Sequence, residues 1–217
     1  LEFSRVLFRS RGPRAVGGVA GAAAVSSGTL TVVGGGRAGC AVAVALAQSG
    51  WLVELAVRDP DRRQAVADWL GGLELARPVL VRSEPDLLRP RAIVWAVPDR
   101  ALADVAEVLG RTGQIRLHLS GVASADVLRQ SGVSAGSLHP LCALADPVGL
   151  PLADATAPLT GAMMAIDGDP AAQALAQELA ESMGGHPVLV PASARAAYHA
   201  AAALAGNDAV GLLALAL

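Results

Sequence analysis

Apolar and polar positions along the chain alternate between two periods. Short strand-like runs lie at 29–33, 53–57, 79–82, 92–97, 114–119, 135–138, 162–166 and 187–190. Each has strand length, and the fourth, Ala92-Ile93-Val94-Trp95-Ala96-Val97, lacks any polar residue, as a parallel strand covered on both faces requires. Between them, stretches with helical spacing, several of them alanine-rich, cover 37–49, 60–70, 100–110, 123–131, 170–183 and 192–217. Alternating β and α runs predict an α/β protein with a doubly wound sheet. Asp99, after Pro98, is placed to cap the helix that follows the fourth strand.

The first strand runs directly into Gly34-Gly35-Gly36-Arg37-Ala38-Gly39, a G-x-G-x-x-G spacing between a β run and a helix. In such a turn Gly34 permits the sharp reversal, Gly36 lets the backbone approach a pyrophosphate, and Gly39 lets helix and strand pack closely. The free N–H groups and positive dipole end of the helix then favour phosphate. The second strand, at the spacing of a βαβ unit, makes a bound dinucleotide the expected cofactor. Gly34, Gly35, Gly36, Arg37, Ala38 and Gly39, together with Arg58 and the strand-end pair Val97-Pro98, are its expected contacts. Arg58, with Arg62 and Arg63 close behind, would meet a ribose 2′-phosphate and favours NADP; Asp59 argues for NAD, or serves as the start of a helix. The arginines could also simply solvate that helix start.

At 217 residues the chain has length for a sizeable core, and a net charge of -2 gives no electrostatic case for nucleic acid. All 17 basic residues are arginine, which excludes Schiff-base or lysine acid–base chemistry. Cys40 and Cys142 form no C-x-x-C or Cys/His ligand set, so a reduced cytoplasmic compartment and no metal are expected. The most apolar stretch, 196–217, carries His199, Asn207 and Asp208 and is not expected to span a membrane. Residues 1–10 resemble translated sequencing-adapter DNA, so 1–28 are expected to be a non-native or disordered tail. Residues 29–191 are assigned to the dinucleotide-binding domain and 192–217 to the first helix of a truncated helical domain, the chain being read as a fragment.

Candidate chemistry gathers in three clusters: His118-Leu119-Ser120-Gly121 and Ser137-Leu138-His139-Pro140-Leu141 at strand ends, and Arg195 to Asn207 on the last helix. Parallel strands end on one edge of the sheet, so Ser120 and His139 should face the same cleft, with a hydrogen bond between them possible. Arg195 and His199 are four apart and Asn207 eight further, which puts all three on one helical face and Tyr198 elsewhere. His139, before a proline, suits proton exchange near neutral pH, whereas His118, inside a strand, reads as structural. His139, Ser120, His199 and Asn207 are the catalytic candidates.

Over 29–217, the segments VVGGGRAG, AVPDRALADVA, HLSG, GSLHPL and YHAAAALAGND resemble a poorly characterised family of Rossmann-like proteins with a C-terminal helical domain of unknown function. That family looks like the wider group of 6-phosphogluconate dehydrogenase, pyrroline-5-carboxylate reductase and prephenate dehydrogenase. The resemblance implies a Rossmann NAD(P)-binding domain, the family's C-terminal part beginning near 136. It also implies a pocket lined by Ser120, His139 and His199, in which His139 takes a hydroxyl proton as hydride leaves. Ser120-Gly121 lacks the lysine that follows in many relatives. The expected function is NADP-preferring hydride transfer with a small carbonyl, hydroxy or imino compound, in a homodimer formed through the missing helical domain. The alternatives are a non-catalytic dinucleotide sensor and a scaffold that binds no nucleotide.

Overall fold

The computed structural model describes residues 29–85, 90–104, 115–129 and 133–204. Eight strands form one sheet: β1 (Thr29–Val33), β2 (Leu52–Ala56), β3 (Val79–Arg82), β4 (Ala92–Trp95), β5 (Ile115–His118), β6 (Ser134–Pro140), β7 (Met163–Gly168) and β8 (His186–Leu189). Their order is β3-β2-β1-β4-β5-β6-β7-β8, so the chain crosses from one half of the sheet to the other between β1 and β4. That reversal leaves a crevice at the strands' C-terminal ends, where open α/β sheets bind ligands.

One face of the sheet carries α1 (Arg37–Gln48), α2 (Pro60–Gly71), α3 (Leu152–Thr156) and α4 (Pro170–Ser182). Residues 39–47 of α1 are buried on every side, and most are alanine, valine or glycine. Small side chains let this helix lie close over β1 and β2 and bring its N-terminus to the end of β1. Asp59 caps α2 by accepting from the Arg62 N–H at 2.7 Å, with Pro60 pre-set for the first helical turn. On the opposite face, Val33, Ile93, Trp95, Leu102, Leu128 and Ala135 form a smaller apolar cluster.

The strand pattern was legible, but its direction was not everywhere. β7 pairs antiparallel with β6, Ser137 opposite Asp167, and β8 runs parallel to β7. The segment between β6 and β7 therefore leaves and re-enters at one sheet edge, passing over α1 and α2 and forming α3, for which no helix was predicted. Arg62 holds this strap through Asp146, with bonds of 2.7 and 2.6 Å, and Trp69 donates to the Leu150 carbonyl at 2.8 Å.

Other helices are shorter than their periodicity suggests. The helix expected at 123–131 is a 3-10 turn, Ala125–Leu128, started by Ser124, whose hydroxyl accepts from the Asp126 N–H. Asp99 opens a 3-10 turn, but Pro98 occupies the cap position and no side chain caps it, which corrects the capping role expected for Asp99. The last helix, α5 (Arg195–Ala203), follows a 3-10 turn at Ala192–Ala194. The expected tail at 1–28 and the remainder of the last helix, with Asn207, fall outside the described residues.

Candidate active site at the sheet switch point

The glycine turn at the end of β1 is built as its spacing demands. Gly34 has φ +121°, and a Cβ there would enter the Ala96 carbonyl; one on Gly39 would enter the Gly34 carbonyl. Both positions thus join strand ends to helix without room for a side chain. Gly36 differs: it is the N-cap of α1, and a Cβ on it would have nothing within 4 Å. No side chain caps α1 and its first turn contains no acid, so its N–H groups and positive dipole end face outward uncompensated.

The cations at the end of β2 are unequal. Arg62 donates its Nε–H to the Gly35 carbonyl at 2.7 Å and is forked onto Asp146, which ties the glycine turn to the strap. Its bond to Asp146 raises the guanidinium pKa and lowers that of the carboxyl. Arg63 donates to the carbonyls of Val57 and Arg58 at 3.1 and 3.2 Å. Arg58 is exposed and has no side-chain partner among the described residues. Of the three arginines expected around a 2′-phosphate, Arg58 alone remains uncommitted there.

Across the switch point, β5 and β6 place His118, Ser137 and His139 on the face opposite α1, with Asp167 level with Ser137 on β7. Arg195 enters this layer from α5 and is 3% exposed. It donates to the carbonyls of Ser120 at 3.1 Å and Gly121 at 3.4 Å and to the Ser137 hydroxyl, with Asp167 at 3.7 Å from its Nε. One buried cation thus pins the last described helix to β6, β7 and the turn after β5.

The structure rearranges the expected contacts among the candidates. The Ser120 hydroxyl accepts from the N–H groups of Val122 and Ala123 at 3.1 and 2.9 Å, and no hydrogen bond joins it to His139. His139 pairs instead with Tyr198, Nδ1 to hydroxyl at 2.8 Å, correcting the expectation that Tyr198 points elsewhere. The helical face was misjudged by one position. Arg195 is buried and Tyr198 half-buried, while His199 is exposed at the rim, within electrostatic reach of His139. Residues three and four apart both lie near one face at ~100° per residue, so spacing alone could not choose between them. Asp167 was also missed: an acid near a strand end has no local signature until the antiparallel pairing sets it beside Arg195.

Burial, then the Arg195 cation, pushes His118 and His139 down to about 4, with Asp99 pulling each upward. His118 accepts the Ser120 N–H at Nδ1, 3.2 Å, which fits its structural reading, while its enclosed Nε2 has no partner. Both rings are neutral at pH 7. Unfolded histidine titrates near ~6.5, so the unfolded chain binds more protons between that value and the folded one. The stabilisation is full above pH 6.5 and is lost as pH falls towards 4. Stability should therefore drop steadily from pH 6.5 to 4.5, on the order of a few kcal/mol for both rings together, and thermal midpoints should fall with it. A flat profile over that window would contradict neutral burial of the pair.

Residues 162–217 match the family profile of a domain of unknown function (DUF2520). No curated protein matches the chain in sequence. Among solved structures it is similar to a protein from Thermotoga maritima, at 22% identity and TM-score 0.61, over 84% of this chain and 65% of that one. It is also similar to a Bacteroides fragilis protein described as an NADP oxidoreductase, at 15% identity and TM-score 0.70, over 87% and 70% of the two chains. A third is prephenate dehydrogenase from Aquifex aeolicus in complex with hydroxyphenyl propionate and NAD+, at 16% identity and TM-score 0.63, over 79% and 63%. The chain spans less than two thirds of the length of the first and third of these. These likenesses establish the Rossmann-type fold. Among the described residues, no helix is long and apolar enough to cross a membrane, and no cluster of His, Cys, Asp and Glu could hold a metal ion.

Proposed function

We propose that this Rossmann-fold chain belongs to an oxidoreductase that prefers NADP and exchanges hydride with a small carbonyl, hydroxy or imino compound. The observation that carries the reading is the bare N-terminus of α1, capped by Gly36 with open space beside it. A pyrophosphate fits that opening without displacing a side chain. Gly34 to Gly39, with Arg37 and Ala38, would hold it, Arg58 would hold the 2′-phosphate, and Val97 and Pro98 would border the site at the end of β4. The bound dinucleotide supplies hydride-transfer capacity.

The chain's own groups supply the remainder. His139 exchanges the proton that accompanies hydride transfer, on the same sheet edge as the glycine turn. Ser120 holds the turn after β5 in shape, and His199, with Asn207 beyond the described residues, orients the polar groups of the substrate. The full protein would work in the cytoplasm as a homodimer joined through its helical part. The named dehydrogenase neighbours support this reading through fold.

Calorimetry with NADP and NAD tests it. NADP is expected to bind at least tenfold more tightly, and Arg58→Ala to remove most of that difference while leaving NAD binding within about twofold, since one charge-assisted phosphate contact contributes about 1.5–3 kcal/mol. Failure to bind either dinucleotide would refute the proposal. An unchanged preference in Arg58→Ala would refute the role given to that arginine.

A further inference from the structure

The His139 ring is held at one nitrogen by a phenol. Its Nδ1 lies 2.8 Å from the Tyr198 hydroxyl, and the rings meet edge to face, centroids 5.7 Å apart at 88°. Tyr198 stands one turn beyond Arg195, whose buried bonds to Ser120 and Gly121 fix that helix against the strand ends. The position of the phenol is therefore set by the strand ends themselves. The other nitrogen, Nε2, has no hydrogen-bond partner among the described residues and lies beside Gly121, where a Cβ would come within 2.9 Å of it. A side chain at 121 would press on the face of the ring, at 2.9 Å from both Cε1 and Nε2.

Both groups are neutral at pH 7, because burial raises the Tyr198 pKa and lowers that of His139. Between them, the phenol O–H is the stronger donor and the imidazole lone pair the stronger acceptor. We infer that Tyr198 donates to Nδ1 of His139 and so keeps the imidazole proton on Nε2, which makes Tyr198 a positioning residue and His139 a proton donor through Nε2. The inference rests on His139 being the proton-exchanging residue.

In the reductive direction the protons balance. The substrate's carbonyl carbon receives hydride from the reduced dinucleotide, and its π electrons move to oxygen. That oxygen takes the Nε2 proton. The Tyr198 proton moves to Nδ1 as the Nε2–H bond breaks; once the product has left, the Nδ1 proton returns to the phenol oxygen as Nε2 takes a proton from solvent, which restores the starting tautomer. The substrate gains one hydride and one proton, and His139 passes through neither imidazolate nor imidazolium. The charged or titratable groups facing the pair are Arg195 and His199 from α5, His118 from β5, Asp99 after β4 and Cys142 in the segment between β6 and β7. Arg195 lowers the cost of transient negative charge on the phenol oxygen.

The tautomer can be read without any turnover, from long-range proton–nitrogen spectra of the 15N-labelled chain, with His139→Asn identifying the resonances. Wild-type His139 is expected to be protonated at Nε2. Tyr198→Phe, which keeps the ring contact and removes the hydroxyl, should show mixed tautomers and a titration midpoint shifted upward towards ~6.5. In carbonyl reduction, Tyr198→Phe should lower kcat about tenfold or more with KM within about twofold, and change the pH profile of kcat. An Nδ1-protonated His139 in the wild type, or a tautomer unchanged in Tyr198→Phe, overturns the inference. If no carbonyl is reduced, the oxidoreductase reading fails on that result, and the spectra still decide the tautomer.

Discussion

Gly36→Ala should leave the thermal midpoint within about 2–3 °C of wild type and weaken NADP binding at least tenfold, while Gly39→Ala should lower the midpoint by roughly 5–10 °C. The two residues lie three apart in one turn, and their surroundings make opposite demands. A Cβ on Gly36 meets nothing within 4 Å and its backbone is extended, so the folded protein accepts it. Alanine is a poorer N-cap than glycine, but it also loses less conformational freedom on folding, and the two effects nearly cancel. The added methyl then stands in the space through which a pyrophosphate must approach the amides of α1. At Gly39 the methyl enters the Gly34 carbonyl and presses on Ala96, so α1 must move off the strand ends, at about 3 kcal/mol by analogy with overpacked cores. Scanning calorimetry and NADP titration of both variants decide the matter. Unimpaired binding in Gly36→Ala would remove the turn from the cofactor site, and an unshifted midpoint in Gly39→Ala would refute the packing argument.

Arg195→Ala should destabilise the chain by about 3–5 kcal/mol and release α5 from the sheet. The cost lies less in the lost attraction than in what remains: Asp167 without its cation, the Ser137 hydroxyl and two strand-end carbonyls without their donor, inside a layer from which water is excluded. A second consequence separates this from a mere packing defect. Arg195 helps to hold His118 and His139 far below the usual histidine range, so its removal should raise both pKa values and weaken the loss of stability between pH 6.5 and 4.5. Amide exchange over 195–203 should accelerate to the rate of local opening. Urea titrations at pH 7.5 and pH 5, with exchange followed by mass spectrometry, measure all three effects. A variant as stable as wild type at pH 7.5, with 195–203 still protected, would show that the helix is held by other contacts.

The His139–Tyr198 pair and the Arg195 layer show why half of the candidate site was hard to read from the chain. The glycine turn is a local object: its job is set by residues adjacent in sequence, and Gly34 and Gly39 stand where their spacing put them. The strand-end histidine and serine were legible for the same reason, because a parallel sheet sends such ends to one edge. Contacts between those ends and α5 depend on how a helix some 60 residues away is rotated when it docks. Asp167 depends on strand direction, which the apolar pattern of 162–166 does not encode. Arg62 looked like a phosphate ligand from its neighbours and is held by Asp146, 84 residues further on.

The sequence by itself determined the alternation of strands and helices, the glycine turn between β1 and α1 and the presence of Arg58, Ser120 and His139 at strand ends, because side-chain period and glycine spacing act within one or two turns of chain. Only the tertiary structure decided that β7 runs backwards, that Arg195 joins β6, β7 and the turn after β5, that Ser120 serves its own loop and that Tyr198 holds His139. Those outcomes come from burial: once water is excluded, Arg195, Ser120 and His139 take the partners that packing brings to them, whatever the distance along the chain.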